Sequence, residues 1–167
     1  MEMKIIIAEI QDMLIGVLKV SKKKEGACLY MGALLFAQII DNLKVRPRFV
    51  TGSLIVDNNI IFSHAPIKSL LKSGGDFSGV WDGHAWVEVD GYIFDPSVFW
   101  TIYTPNTPLE LQRIFEKTFN GRHHFLIGSR TLLEEKGVFY KEYEELSDTD
   151  ATTFINSGFK TGFFHQR

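Results

Sequence analysis

The chain has 167 residues, 45% of them hydrophobic, with 18 Lys and Arg against 20 Asp and Glu for a net charge of −2. That length fits one domain, 1–167, with a sizeable core, and near-neutrality without a basic tail or stripe argues against nucleic acid or an anionic membrane as the main partner. A single cysteine, Cys28, excludes an intramolecular disulfide and with it a disulfide-stapled scaffold.

The N-terminal run MEMKIIIAEIQDMLIGVLKV places Ile6, Ile10, Met13, Val17 and Val20 at helical steps, predicting an amphipathic core helix. Glu9, Gln11 and Asp12 interrupt it and no small-residue cleavage site follows, so neither a signal peptide nor a membrane span is expected, and the cytoplasm is the expected location. After the connector SKKKEGA, the segment from about Cys28 to Asn42 is apolar on almost every face and predicts a buried helix. Gly32 lowers its propensity but permits close packing. A strand is predicted over Val45 to Val56, a turn at Asp57-Asn58-Asn59, and a returning strand over Ile60 to Ser63. Residues Ser73 to Gly79 form a Gly/Ser-rich loop in which Asp76 is a candidate substrate contact.

The stretch WDGHAWVEVDGYIFDPS predicts a β-hairpin, because Asp90-Gly91 suits a type I′ turn. That turn sets Val89 opposite Tyr92, Glu88 opposite Ile93, Val87 opposite Phe94 and Trp86 opposite Asp95. Alternation then gathers His84, Trp86, Glu88 and Asp95 on one face. His84 and Asp95 become diagonal neighbours, roughly 5.5–8 Å apart at the backbone and within side-chain reach. Further on, Thr107-Pro108-Leu109-Glu110 predicts a helix start with Thr107 as cap and Glu110 at N3, and Asn120-Gly121 predicts its end. HHFLIG and SRTLLEEKGVFYKEYEEL predict strand and helix fragments, the acidic KEYEELSDTD a solvated helix face, and SDTDATTFINSG a capped helix. The coarse order is helices, strands, helices, an α+β domain.

A carboxylate at one ring nitrogen fixes the histidine tautomer and leaves the other nitrogen as base. Cys28 stands at the first turn of the buried helix, where free N–H groups and the helix dipole favour a thiolate, with Lys22, Lys23 and Lys24 adding a screened contribution. The same N–H groups suit an oxyanion, and Gly26 leaves room for substrate. Cys28, His84 and Asp95 thus make a full set for acyl transfer. His123-His124 lacks the neighbours of a metal site, and on a strand the two rings would point to opposite faces. His64, in SHAPI, has no partner visible in the sequence. No phosphate loop or dinucleotide fingerprint is present, and no metal or cofactor is expected.

The segment EGACLYMGALLFAQIIDNLKVRPRFVTGSL, followed by GHAWVEVDGYIFDPS, resembles the core of the transglutaminase-like superfamily, related to papain-like cysteine enzymes. The matches are Cys28 opening a long apolar helix, Arg48 and Gly52 on a strand, the run His84 to Glu88, and Asp95-Pro96. They cover about 25–97, leaving 98–167 as an extension of the same domain. The resemblance implies a papain/transglutaminase-like core with the cysteine helix packed on an antiparallel sheet and further C-terminal helices. It implies Cys28 as nucleophile, His84 as general base and acid, and Asp95 as orienter. Trp81, Gly83, Trp86 and Gly26 would bind substrate or support the site, and Arg48 would be structural. The family's oxyanion side chain has no match just before Cys28, and Gln11 is the nearest upstream glutamine. The implied function is a cysteine-dependent peptidase, amidase or transamidase acting on a peptide, protein or small amide. The alternatives are an arylamine N-acetyltransferase-like enzyme using acyl-coenzyme A, and an inactive binding module.

Overall fold

The computed structural model describes residues 2–22, 27–71 and 81–165. Lys23, Lys24, Gly26, Asp76 and the whole loop from Ser73 to Gly79 lie outside the described residues.

Two helices open the chain, α1 (Met3–Val20) and α2 (Ala27–Asn42). In α1 the inward positions are Ile6, Ile10, Leu14, Val17 and Leu18, whereas Met13 and Val20 are only partly buried, so the apolar stripe turns slightly from the expected one. In α2 burial reaches nearly every face, including Cys28, Met31, Leu35 and Ile39. Gly32 abuts Phe49, where an added Cβ would lie 2.9 Å from the ring.

Strands β1 (Arg48–Val56) and β2 (Asn59–Phe62) form the first hairpin, with Asp57 and Asn58 at positive φ in the turn. After the short α3 (Lys68–Leu71) come β3 (His84–Val89) and β4 (Tyr92–Asp95). Their pairs, Val89 with Tyr92, Glu88 with Ile93 and Val87 with Phe94, are those set by an Asp-Gly turn, and both turn residues have positive φ. Then follow α4 (Val98–Thr101), α5 (Leu109–Thr118), β5 (Leu126–Ser129), α6 (Arg130–Glu135), β6 (Val138–Leu146) and α7 (Asp148–Lys160). The architecture is α+β, although helices and strands interleave after the first hairpin rather than falling into three blocks.

All pairings among the described strands are antiparallel. β1 is the axis of the sheet: β6 runs along one edge, while β3 takes Arg48–Gly52 and β2 takes Leu54–Val56 on the other. β4 and β5 continue outward from β3. β3 is buried at all six positions, so both faces of the sheet are covered. Ala85, Val87, Val89 and Phe49 pack with α1, α2 and α7, whereas Trp86, Val50, Ile93 and Tyr140 pack with α4 to α6. This places the N-terminus of α2 against the sheet on the side from which β3 begins.

Three local expectations are corrected. KEYEEL is strand, not a solvated helix face: Lys141–Leu146 belong to β6, and a bulge at Tyr143 shifts its register against β1 between Thr51 and Gly52. A bulge adds one residue to one strand, which breaks the two-residue period a strand would show in sequence. The helix after Thr107 begins one residue late, because Pro108 is extended (ψ 139°) and makes no side-chain cap. The Thr107 carbonyl instead accepts from Gln112 Nε2 at 3.0 Å. His123 and His124 precede β5 rather than lying in it; His123 Nε2 donates to the Phe119 carbonyl at 2.7 Å, and the His124 ring stacks on Trp100. The capped last helix is as expected, with Ser147 and Asp150 forming a complete capping box for α7.

Candidate active site

His84 and Asp95 are both wholly buried, and His84 Nε2–H donates to Asp95 Oδ2 at 2.5 Å. The carboxylate is held from its other side by the chain that follows it: Ser97 N–H and Val98 N–H each donate to Oδ1 at 3.1 Å. Asp-Pro-Ser therefore works as a local turn in which the aspartate caps the start of α4 while its second oxygen faces the histidine. Tyr140, arriving on β6, donates its hydroxyl to Oδ2 at 2.7 Å. Buried charge is tolerable only when so fully hydrogen-bonded.

The imidazole is fixed by stacking as well. Phe62 lies parallel to it at 4.7 Å, and Trp86 lies at 6.2 Å. Trp86 is itself anchored, its indole N–H donating to Glu88 Oε1 at 3.0 Å. Glu88 is held by Arg48 and Arg130, and Arg48 also pairs with Glu142 and Glu145 of β6. Arg48 thus ties β1 to β3 and β6, a structural role, and Trp86 supports His84 from within the sheet.

With Nε2 committed to Asp95, Nδ1 is the free ring nitrogen, buried and without a well-formed hydrogen bond among the described residues. Cys28, at the second residue of α2 and itself buried, lies close enough for its hydrogen bonding and charge to act on the ring. Burial works to lower the His84 pKa, but the Asp95 charge and hydrogen bond, followed by those of Cys28, outweigh it and raise it from 6.5 to about 10. The ring, held between Asp95 and Cys28, therefore favours its charged form.

The raised value has a consequence for stability. The folded protein binds a proton at His84 more tightly than the unfolded chain, so this contribution is fully present below pH 6.5 and is lost as pH rises toward about 10. Denaturation midpoints are therefore expected to fall across that window, and His84→Ala is expected to lose this part of the slope. A midpoint that stays level in the parent protein across the same window would contradict the raised value.

Trp81, Gly83 and the loop around His64 form the neighbouring wall. Gly83 (φ +157°) lets the Trp81 indole lie against its α-carbon; a Cβ there would come within 2.4 Å of the ring. The indole N–H donates to the Ala65 carbonyl at 2.7 Å, and Ala65 N–H donates to the Asp82 carbonyl at 2.8 Å. His64 is stacked on Tyr143 at 4.8 Å and meets Trp81 edge-on, with Nε2 at 3.2 Å from Glu144 Oε1 and 3.4 Å from Thr51 Oγ1. Glu144 also accepts from Ile67 N–H at 2.8 Å, which docks this loop on β6. Gln11 is exposed on α1.

Phe62, Tyr140 and Glu144, from β2 and β6, were not expected from the sequence; His64, expected to have no partner, meets Glu144 from the loop after β2. The signal for Tyr140 was the β-branched and aromatic run Val138, Phe139, Tyr140 directly after Gly137, a composition that favours strand.

Among the described residues no group of three or more His, Cys, Asp or Glu is placed to hold a metal ion, and no helix is long and apolar enough to cross a membrane. No family model, curated protein or solved structure matches this chain.

Proposed function

We propose that the chain is a cysteine-dependent acyl-transfer enzyme of the transglutaminase-like kind, acting on a peptide, protein or small amide through a thioester at Cys28. The observation that carries this reading is the buried His84–Asp95 pair at 2.5 Å, whose free ring nitrogen is left for a thiol at the start of a helix. An imidazolium beside a thiol at a helix N-terminus is the arrangement that sustains a thiolate at neutral pH. A buried histidine and aspartate kept only for packing would be replaceable by apolar side chains without loss of a hydrogen-bonded network.

In the proposed reaction the Cys28 sulfur attacks the carbonyl carbon of the amide, and the carbonyl π electrons move to oxygen. N–H groups at the start of α2 are the candidate donors to that oxyanion, whose placement in a dry site supplies much of the rate. As the oxyanion collapses, the C–N bond breaks and His84 gives its proton to the departing amine, leaving an acyl-thioester and neutral imidazole. Water or a second amine then attacks the thioester, His84 takes the attacking group's proton, and the C–S bond breaks to restore thiolate and imidazolium. Asp95 keeps the ring in one tautomer throughout and stabilises its charged form. A single cysteine with no disulfide partner is compatible with the cytoplasm.

Alkylation tests this without knowledge of the substrate. Iodoacetamide is expected to label Cys28 rapidly at mildly acidic pH, and His84→Ala is expected to slow it by about 100-fold or more, the lower range of what a positioned acid–base group contributes. A thiol that stays inert in the folded protein, or reacts equally fast in the variant, would sink the mechanism. A stable acetyl-thioester formed from acetyl-coenzyme A would move the assignment to acyl-coenzyme A chemistry.

A further inference from the structure

Tyr140 lies on β6, 45 residues along the chain from Asp95, and the reaction steps above do not use it. Its ring is buried 5.0 Å from Trp86 and 6.2 Å from the His84 imidazole. Its hydroxyl and the His84 Nε2–H both donate to the same oxygen, Asp95 Oδ2, at 2.7 and 2.5 Å. The other oxygen is occupied by the N–H groups of Ser97 and Val98. Two donors therefore divide the charge of one carboxylate oxygen, and each weakens the hold that the oxygen has on the other.

We infer that Tyr140 is a positioning residue that acts through Asp95: its hydroxyl draws off part of the Oδ2 charge, so that the carboxylate orients His84 without gripping its proton too tightly to release it. A histidine that must both hold and give up a proton works best when its affinity for that proton is moderate. The undivided charge of Asp95 would hold the His84 proton more tightly still. Burial, then the Asp95 charge, raises the Tyr140 pKa well above that of an ordinary phenol, so the hydroxyl remains a donor while His84 titrates.

The charged and titratable groups around the pair are few. α2 supplies Cys28 and β4 supplies Asp95. Behind Tyr140, Arg130 donates to its carbonyl at 2.6 Å and is paired with Glu88. β2 and β3 present the aromatic faces of Phe62 and Trp86. None of these other groups shares Oδ2 with the histidine among the described contacts.

The effect on His84 is independent of the acyl-transfer reading; only its consequence for turnover rests on that reading. The test follows the His84 ring resonances by NMR as a function of pH, assigned by their loss in His84→Ala. Tyr140→Phe is expected to raise the His84 midpoint by about one pH unit, the size of a lost hydrogen bond to a charged group. A midpoint that is unchanged or lower in a folded Tyr140→Phe protein overturns the inference. Should that variant not fold, 3-fluorotyrosine placed at position 140, a stronger donor of nearly the same shape, is expected to lower the midpoint. An unchanged or higher midpoint there overturns it equally. Cys28 alkylation that ignores His84 would defeat the proposed function while leaving the Tyr140 shift intact, and an unmoved midpoint with His84-dependent alkylation would defeat this inference alone.

Discussion

Asp95→Ala is expected to destabilise the protein by about 3–5 kcal/mol, the cost of removing one member of a buried ion pair. The change leaves five donors without their acceptor: His84 Nε2, the Tyr140 and Ser97 hydroxyls and the N–H groups of Ser97 and Val98. Asp95→Asn separates stability from chemistry. Its amide oxygen can keep the Ser97 and Val98 N–H groups, so less stability is lost. Its NH2 then faces Nε2 and Tyr140, and Nε2 must become an acceptor, which moves the ring proton to Nδ1, the nitrogen needed by the thiol. Asn is therefore expected to be more stable than Ala by denaturant midpoint, yet to label at Cys28 as slowly as His84→Ala. Rapid labelling in Asp95→Asn would show that Asp95 serves packing alone.

Gly52→Ala is the second large effect. A Cβ on Gly52 would lie 1.8 Å from the Lys141 carbonyl oxygen and 2.9 Å from Trp86 Cη2. The carbonyl belongs to the bulged β6 and cannot step aside without giving up the β1–β6 ladder. We expect a loss of about 3 kcal/mol, at the upper end of overpacking costs. Because Gly52 pairs across the sheet with His84, slower Cys28 labelling is expected to accompany it. Gly16→Ala is the control: nothing lies within 4 Å of its added Cβ on α1, so it is expected to be neutral or to stabilise by up to about 1 kcal/mol. Equal midpoints for the two variants would refute the close approach at Gly52.

What the sequence made legible shares a physical cause. The hairpin register follows from a two-residue turn that few residue types can make, and side chains then alternate for as long as the strand stays regular. That was enough to bring His84 and Asp95 to one face, since only eleven residues separate them. The buried α2 with Cys28 at its start was legible for a similar reason: a segment apolar on every face has to be enclosed.

β6 was illegible because the reasons for its place are not in its own residues. Glu142 and Glu145 look like the polar face of a helix until Arg48 receives both, and Glu144 until the Ile67 and Lys68 N–H groups receive it. The bulge at Tyr143 then hides the strand period that would have betrayed it. The Thr107 cap failed through one dihedral: an extended Pro108 puts the threonine outside the helix it was expected to start.

Local turn chemistry and periodicity were thus enough for an α+β chain, a buried helix with Cys28 in its first turn, and a hairpin that sets a histidine beside an aspartate. Long-range packing is what keeps both polar residues dry, seats Phe62 and Trp86 against the ring, and brings Tyr140 to the carboxylate. Those facts depend on β2 and β6 flanking opposite edges of β1. Pairing across such distances is chosen by the whole core, and no short stretch of the chain encodes it.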